Sequence, residues 1–244
     1  MYDAVADLGT ILGVWAHPDD EAYLSAGLMA LARDNGQRVV VVTATLGELG
    51  TSDPETWAPH RLGPLRREEM AASMAVLGVH EHHWLGLPDG ECAAVPLDAG
   101  ARRIGAFLRE VRPDTVVTFG PDGMTGHPDH RAVSAWTAAA WQAAGRQGRL
   151  LQATVTPEFH LEWGSLNDEI GMWMDDGPRP CTPRAALAVE LDCAGELLER
   201  KLAALRAHDS QTAPLIAALG ADTYRAWCAA EWFVDVADVV ARAA

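Results

Sequence analysis

Two short runs concentrate side chains that can ligate a metal or move a proton. Residues 17–21 read HPDDE and residues 127–130 read HPDH. In each run the proline biases the preceding histidine toward extended backbone and suits the first turn of a helix. Asp19, Asp20 and Glu21 then fall at a helix N-terminus, where negative charge is favourable. Capping alone accounts for those carboxylates; it does not account for a histidine beside them, twice. Two imidazoles and a carboxylate form the usual inner shell of a catalytic zinc, with a fourth position left for water.

To serve one site the two runs must be brought together by the elements before them. ILGVWA at 11–16 and TVVTFG at 115–120 read as buried strands, the second followed by a glycine-rich loop at 120–126. Helices are expected over 20–35, 64–77, 97–111 and 129–144, with strands at 39–45 and 82–86 and a long loop over 46–63. The unbroken β-branched run VVVVTAT marks a strand covered on both faces. This alternation predicts an α/β fold, Rossmann-like, with a mostly parallel sheet and helices on both faces. Ligands of such sheets bind beyond the carboxyl ends of the strands, where both histidine runs lie. After residue 150 the pattern loosens; strands are expected at 153–159, 186–191 and 230–236, with a helix at 194–207. The expectation is a single domain over 1–244, with a core at about 8–150 and a C-terminal elaboration over about 151–244.

A net charge of −15 argues against nucleic acid and anionic membrane surfaces as partners. It leaves a metal cation and a small neutral molecule compatible. Cys92, Cys181, Cys193 and Cys228 form no CxxC pair, which fits reduced thiols in a cytoplasmic protein. Asp3 and Asp7 stand where a secretory leader would be basic, and no apolar segment reaches the roughly 18 residues of a membrane span. No GxGxxG follows the first strand, so a dinucleotide-binding reading lacks its phosphate cradle.

AHPDDE after a first strand, with a later GHPDH, resembles the zinc-dependent N-deacetylases of the LmbE-like or PIG-L family. LRREEMAASMAVLGV (65–79), LGLPDG (85–90) and KLAALRAHDSQ (201–211) resemble further segments of that family, up to about residue 211. The resemblance implies hydrolysis of an N-acetyl group on an N-acetylglucosaminyl conjugate. It implies His17, Asp20 and His130 as zinc ligands, Asp19 as general base, and His127 as the electrophile or acid near the carbonyl oxygen. Arg66 and Asp89 are then the best candidates for holding sugar hydroxyls or a phosphate. Iron(II) is an alternative metal, since imidazole and carboxylate do not select zinc alone. Either Asp19 or His127 could return the proton to the leaving amine.

Two features point away from a simple carry-over. Thr125 stands where the mycothiol-pathway members carry a tyrosine; its hydroxyl reaches less far, so a different substrate is expected. Residues 160–183 are rich in Trp and Met and suit a lid, a pocket wall or a subunit contact in a homo-oligomer. An amidase for a larger acyl group or a natural-product amide, and a metal-dependent sugar-binding protein without turnover, are the alternatives. Glu21 reads as a cap or a partner to a ligand histidine, and His208 and Gln211 as neighbours of the site. His60, His80, His82, His83 and His160 lack a motif and read as structural.

Overall fold

A computed structural model describes residues 3–175, 177 and 179–243. Its centre is a seven-stranded sheet: β1 (Ile11–Trp15), β2 (Val39–Thr43), β3 (Glu81–Trp84), β4 (Thr115–Phe119), β5 (Arg149–Thr154), β6 (Val189–Asp192) and β7 (Ala230–Asp235). The spatial order is β3-β2-β1-β4-β5-β7-β6, and β7 alone runs against the others. Every residue of β1, β2 and β4 is buried. That is the environment in which continuous Val and Ile runs are stable as central strands. The α/β expectation holds, with a mostly parallel sheet.

The main helices are α1 (Asp20–Asp34), α2 (Pro59–Leu77), α3 (Leu97–Val111), α4 (Pro128–Ala143), α5 (Pro157–Glu169), α6 (Gly195–Ala207), α7 (Asp209–Leu219), α8 (Ala221–Trp227) and α9 (Val236–Ala243). α1, α2 and α6 pack together, and α3 packs on α4. The close approach of the latter pair depends on Gly100, where a Cβ would enter the Trp136 indole. The chain builds β1, β2 and β3 outward in one direction, then returns to place β4 on the other flank of β1. The loops leaving β1 and β4 diverge there and open a crevice.

Several boundaries differ from those expected. α2 begins at Pro59 instead of 64, because Pro59 occupies the first helical turn, where its missing N–H costs nothing. The strand expected at 153–159 is β5 at 149–154, and α5 starts at Pro157. Thr156 caps α5, its hydroxyl accepting the Phe159 N–H at 3.3 Å, so the alternating ATVTPEF pattern conceals a helix start. β6 begins at Val189, after a helical turn at Arg184–Ala186. No helix among the described residues is long and apolar enough to cross a membrane.

Candidate active site

β1 ends at Trp15 and releases Ala16, His17 and Pro18 toward α1. Asp19, the residue preceding the helix, has φ 109° and ψ −28°, a left-handed conformation rare outside glycine. Strain of this kind is worth about 1–3 kcal/mol and persists only where neighbours enforce it. Here the Asp19 N–H donates to Glu21 Oε2 at 3.1 Å. Arg66 Nη2 donates to the Pro18 carbonyl and, at 3.0 Å, to Asp19 Oδ2. Arg66 Nη1 donates to the Gly47 carbonyl at 2.8 Å, and a Cβ at Gly47 would collide with the guanidinium. Glu21 in turn meets His208 Nε2 at 3.1 Å, both side chains fully buried. Its partner is thus His208, a histidine outside both motifs.

His17 and His130 face each other across the crevice, His17 Nδ1 lying 3.0 Å from His130 Nε2. Asp20 Oδ1 is 3.3 Å from His130 Nε2, and Asp20 Oδ2 is 3.8 Å from His17 Nδ1. Donors about 2.0–2.1 Å from a tetrahedral zinc lie roughly 3.3 Å from one another, so this spacing fits a divalent cation. The outer ring nitrogens fit as well. His130 Nδ1 is 2.9 Å from the Gly123 carbonyl, and its ring stacks on Phe119 with centroids 4.2 Å apart. His17 Nε2 lies 3.0 Å from Asp89 Oδ1 and 3.5 Å from Asp129 Oδ2, although neither oxygen lies in line for a good hydrogen bond. Ligand histidines commonly turn their second nitrogen to a carboxylate or carbonyl in this way. His127 also comes close enough to form a three-histidine donor set with His17 and His130.

The field favours a cation. Burial opposes a charge on His17, but Asp129, Asp89 and Asp20 together outweigh it and raise its pKa to about 10. Burial holds His130 well below the ordinary histidine value, with His17 adding to the effect. His127 is lowered for the same two reasons. Burial raises Asp19 to about 6 against the pull of Arg66. The Asp19 side chain still keeps 16 % of its surface in solvent, so water reaches it.

The seven residues singled out from the sequence, His17, Asp19, Asp20, Arg66, Asp89, His127 and His130, all line one cleft of about 390 Å³. Two of them are turned inward. Arg66 is 3 % exposed and engaged as described, and Asp89 Oδ2 accepts the Leu49 N–H at 2.9 Å. Asp129, inside the second motif, carries no role that its spacing alone reveals. It is fully buried and accepts the Gly90 and Cys92 N–H groups at 2.8 and 3.0 Å, fastening the turn that carries Asp89 to α4. Its own N–H donates to His127 Nδ1 at 3.1 Å, which leaves Nε2 as the proton-bearing nitrogen of a neutral ring. Met172 and Met174 form part of the cleft wall, and the Met174 N–H holds the Thr125 carbonyl at 2.8 Å. Gln211 also lines the cleft.

The inward fork of Arg66 leads to a test. Arg66→Lys keeps the charge but cannot span Gly47, Pro18 and Asp19 together. The expected result is a fall in kcat of roughly 10²-fold with little change in KM, the signature of a displaced catalytic group. A rise in KM alone would mean that Arg66 contacts the substrate instead.

Paired imidazoles and clustered carboxylates at the switch point of a parallel sheet define an α/β protein with a candidate metal site in its cleft. The family model described as PIG-L, GlcNAc-PI de-N-acetylase, matches residues 12–141, and the chain belongs to that family of amide hydrolases. It is 34 % identical over 207 residues to a Streptomyces avermitilis 1D-myo-inositol 2-acetamido-2-deoxy-alpha-D-glucopyranoside deacetylase, covering 76 % of this chain and 67 % of that protein. The N,N'-diacetylchitobiose deacetylase of Pyrococcus horikoshii superposes with a TM-score of 0.64 at 23 % identity, over 97 % of this chain and 87 % of that one. The fold is shared more widely. A 4-carboxy-2-hydroxymuconate hydratase from Pseudomonas putida superposes with a TM-score of 0.60 at 18 % identity, covering 93 % of this chain and 96 % of that one.

Proposed function

We propose that the cleft hydrolyses the N-acyl amide of an amino-sugar conjugate, using zinc, or iron(II), held by His17, Asp20 and His130. The facing pair His17 Nδ1 and His130 Nε2, 3.0 Å apart beside Asp20, carries this reading. When bound, the metal supplies Lewis acidity and lowers the pKa of a coordinated water toward about 7. Asp19, partly open to solvent and fixed by Arg66, accepts a proton from the attacking water. The water oxygen bonds to the carbonyl carbon as the C–N bond breaks. His127, its Nδ1 occupied by the Asp129 N–H, offers Nε2–H to the carbonyl oxygen or the departing amine. The products are a carboxylate and a free amine.

The named activity of the Streptomyces relative, a deacetylase of an inositol-linked amino sugar, supports an amino-sugar conjugate as the substrate class. Asp89 and Arg66, expected at the sugar, act on this reading through His17 and Asp19, and the sugar lies against Gly50, Gly90 and Gln211. We take residues 1–244 as one domain, since β5, β7 and β6 extend the same sheet. The free cysteines suit a cytoplasmic setting.

Free-amine release tests this on N-acetylglucosamine, its inositol conjugate and a panel of N-acyl aminoglycosides. Release is expected to vanish with chelator and return with zinc. Release that persists after complete metal removal, or metal-replete protein inert on every member, would overturn the proposal.

A further inference from the structure

Beside the polar cleft lies a second cavity of about 310 Å³, within the size range of small-molecule sites. The two adjoin, since Asp20, Thr125, His130 and Met172 line both. From that junction the second cavity is walled by Leu24 of α1, Phe159 of α5, Leu215 of α7, and Trp227 and Trp232. Its two carboxylates are already engaged. Glu231 is held by Lys201 and by the N–H groups of Gly27 and Leu28, and Asp20 belongs to the ligand cluster. What remains is an apolar arm that lies directly beside the reacting position.

We infer that this arm receives the acyl chain of the substrate, so that the enzyme releases a medium-chain fatty acid, octanoate for example, from an N-acylated amino sugar. The inference rests on the hydrolase reading above. An N-acyl amino sugar has one hydroxylated end and one alkyl end, joined at the amide. The cleft lined by Asp19, His127 and Gln211 matches the first and the aromatic and aliphatic arm the second. The junction at His130 and Asp20 then falls at the carbonyl carbon. An acetyl group is too short to leave the junction, and the arm would stay wet. Water supplies oxygen to the acyl carbon and a proton to the nitrogen as the C–N bond breaks, so no further reactant is needed. Each methylene that enters the arm is worth roughly a fourfold gain.

Metal-replete protein is offered N-octanoyl-glucosamine and N-acetylglucosamine, with amine release measured as kcat/KM. The octanoyl substrate is expected to be preferred at least tenfold. Leu215→Trp, and separately Leu24→Trp, fill the arm and are expected to lower the octanoyl-to-acetyl ratio by tenfold or more. Acetyl release with no octanoyl preference, or a ratio unmoved in both folded variants, overturns the acyl arm and leaves the hydrolase reading standing. No amine from either substrate, from protein that does release amine from the panel above, overturns this inference alone; no amine from these two or from any panel member overturns the hydrolase reading with it.

Discussion

Asp19→Asn is expected to reduce amine release by about 10²–10⁴-fold, the range for losing a positioned general base. Asparagine matches aspartate in shape and tolerates the left-handed backbone that residue 19 adopts at φ 109°. The amide oxygen can still accept from Arg66 Nη2, which lies 3.0 Å from Oδ2 in the native protein. Fold and metal content should therefore stay at wild-type levels, and the loss should appear in kcat. Circular dichroism, metal analysis and steady-state kinetics on one preparation check all three. Near wild-type turnover in a metal-replete Asp19→Asn variant would remove Asp19 from the chemistry.

Lys201→Met is expected to cost about 3–5 kcal/mol of stability, although residue 201 lies outside the cleft. Lys201 is the chain's single lysine and is fully buried. Its Nζ donates to Glu231 Oε1 and to the Tyr23 carbonyl, both at 2.8 Å. Glu231 accepts the Gly27 and Leu28 N–H groups at 2.7 and 2.9 Å. A buried ion pair from α6 and β7 is thus inserted into the hydrogen-bond ladder of α1, the helix that starts at the Asp19–Asp20 site. Gly27 permits this, since a Cβ there would meet Cys193 Sγ and crowd Glu231. Burial opposes the charge on Lys201, but Glu231 keeps its pKa above the ordinary lysine value. Removing the ammonium alone strands the carboxylate. At roughly 2–4 °C per kcal/mol for a chain of this size, Tm should fall by about 10 °C. Adding Glu231→Gln removes the orphan charge, keeps an acceptor for Gly27, and should recover much of the loss. Urea unfolding of the wild type, the single variant and the double variant measures this. A single variant within about 0.5 kcal/mol of wild type would contradict the role given to the pair.

The central strands were legible because β1, β2 and β4 are buried on both faces and are built mainly of apolar and β-branched residues. The C-terminal third was harder to read. α7 and α8 went unread, and ATVTPEF alternates like a strand while Thr156 and Pro157 start a helix. The members of the candidate site were legible as neighbours where they sit in compact motifs at strand ends, as with His17–Asp20 and His127–His130. Partnerships between distant segments were not. Glu21 with His208 and Lys201 with Glu231 join residues that no local spacing relates. The direction of Arg66 was hidden for a similar reason. Four charged residues in a row, 66–69, look like a solvated helix face, yet Arg66 and Glu69 are buried. Glu69 takes up the Ser210 N–H and hydroxyl, both at 2.7 Å, at the start of α7.

The most direct test is a metal titration of the metal-free protein, following amide hydrolysis and bound zinc in the same samples. Activity should rise in proportion to bound zinc and break at one equivalent per chain, and His17→Ala and His130→Ala should each abolish the break. Full activity before any metal is added, or an unchanged break in both variants, would contradict a metal centre built on His17, Asp20 and His130.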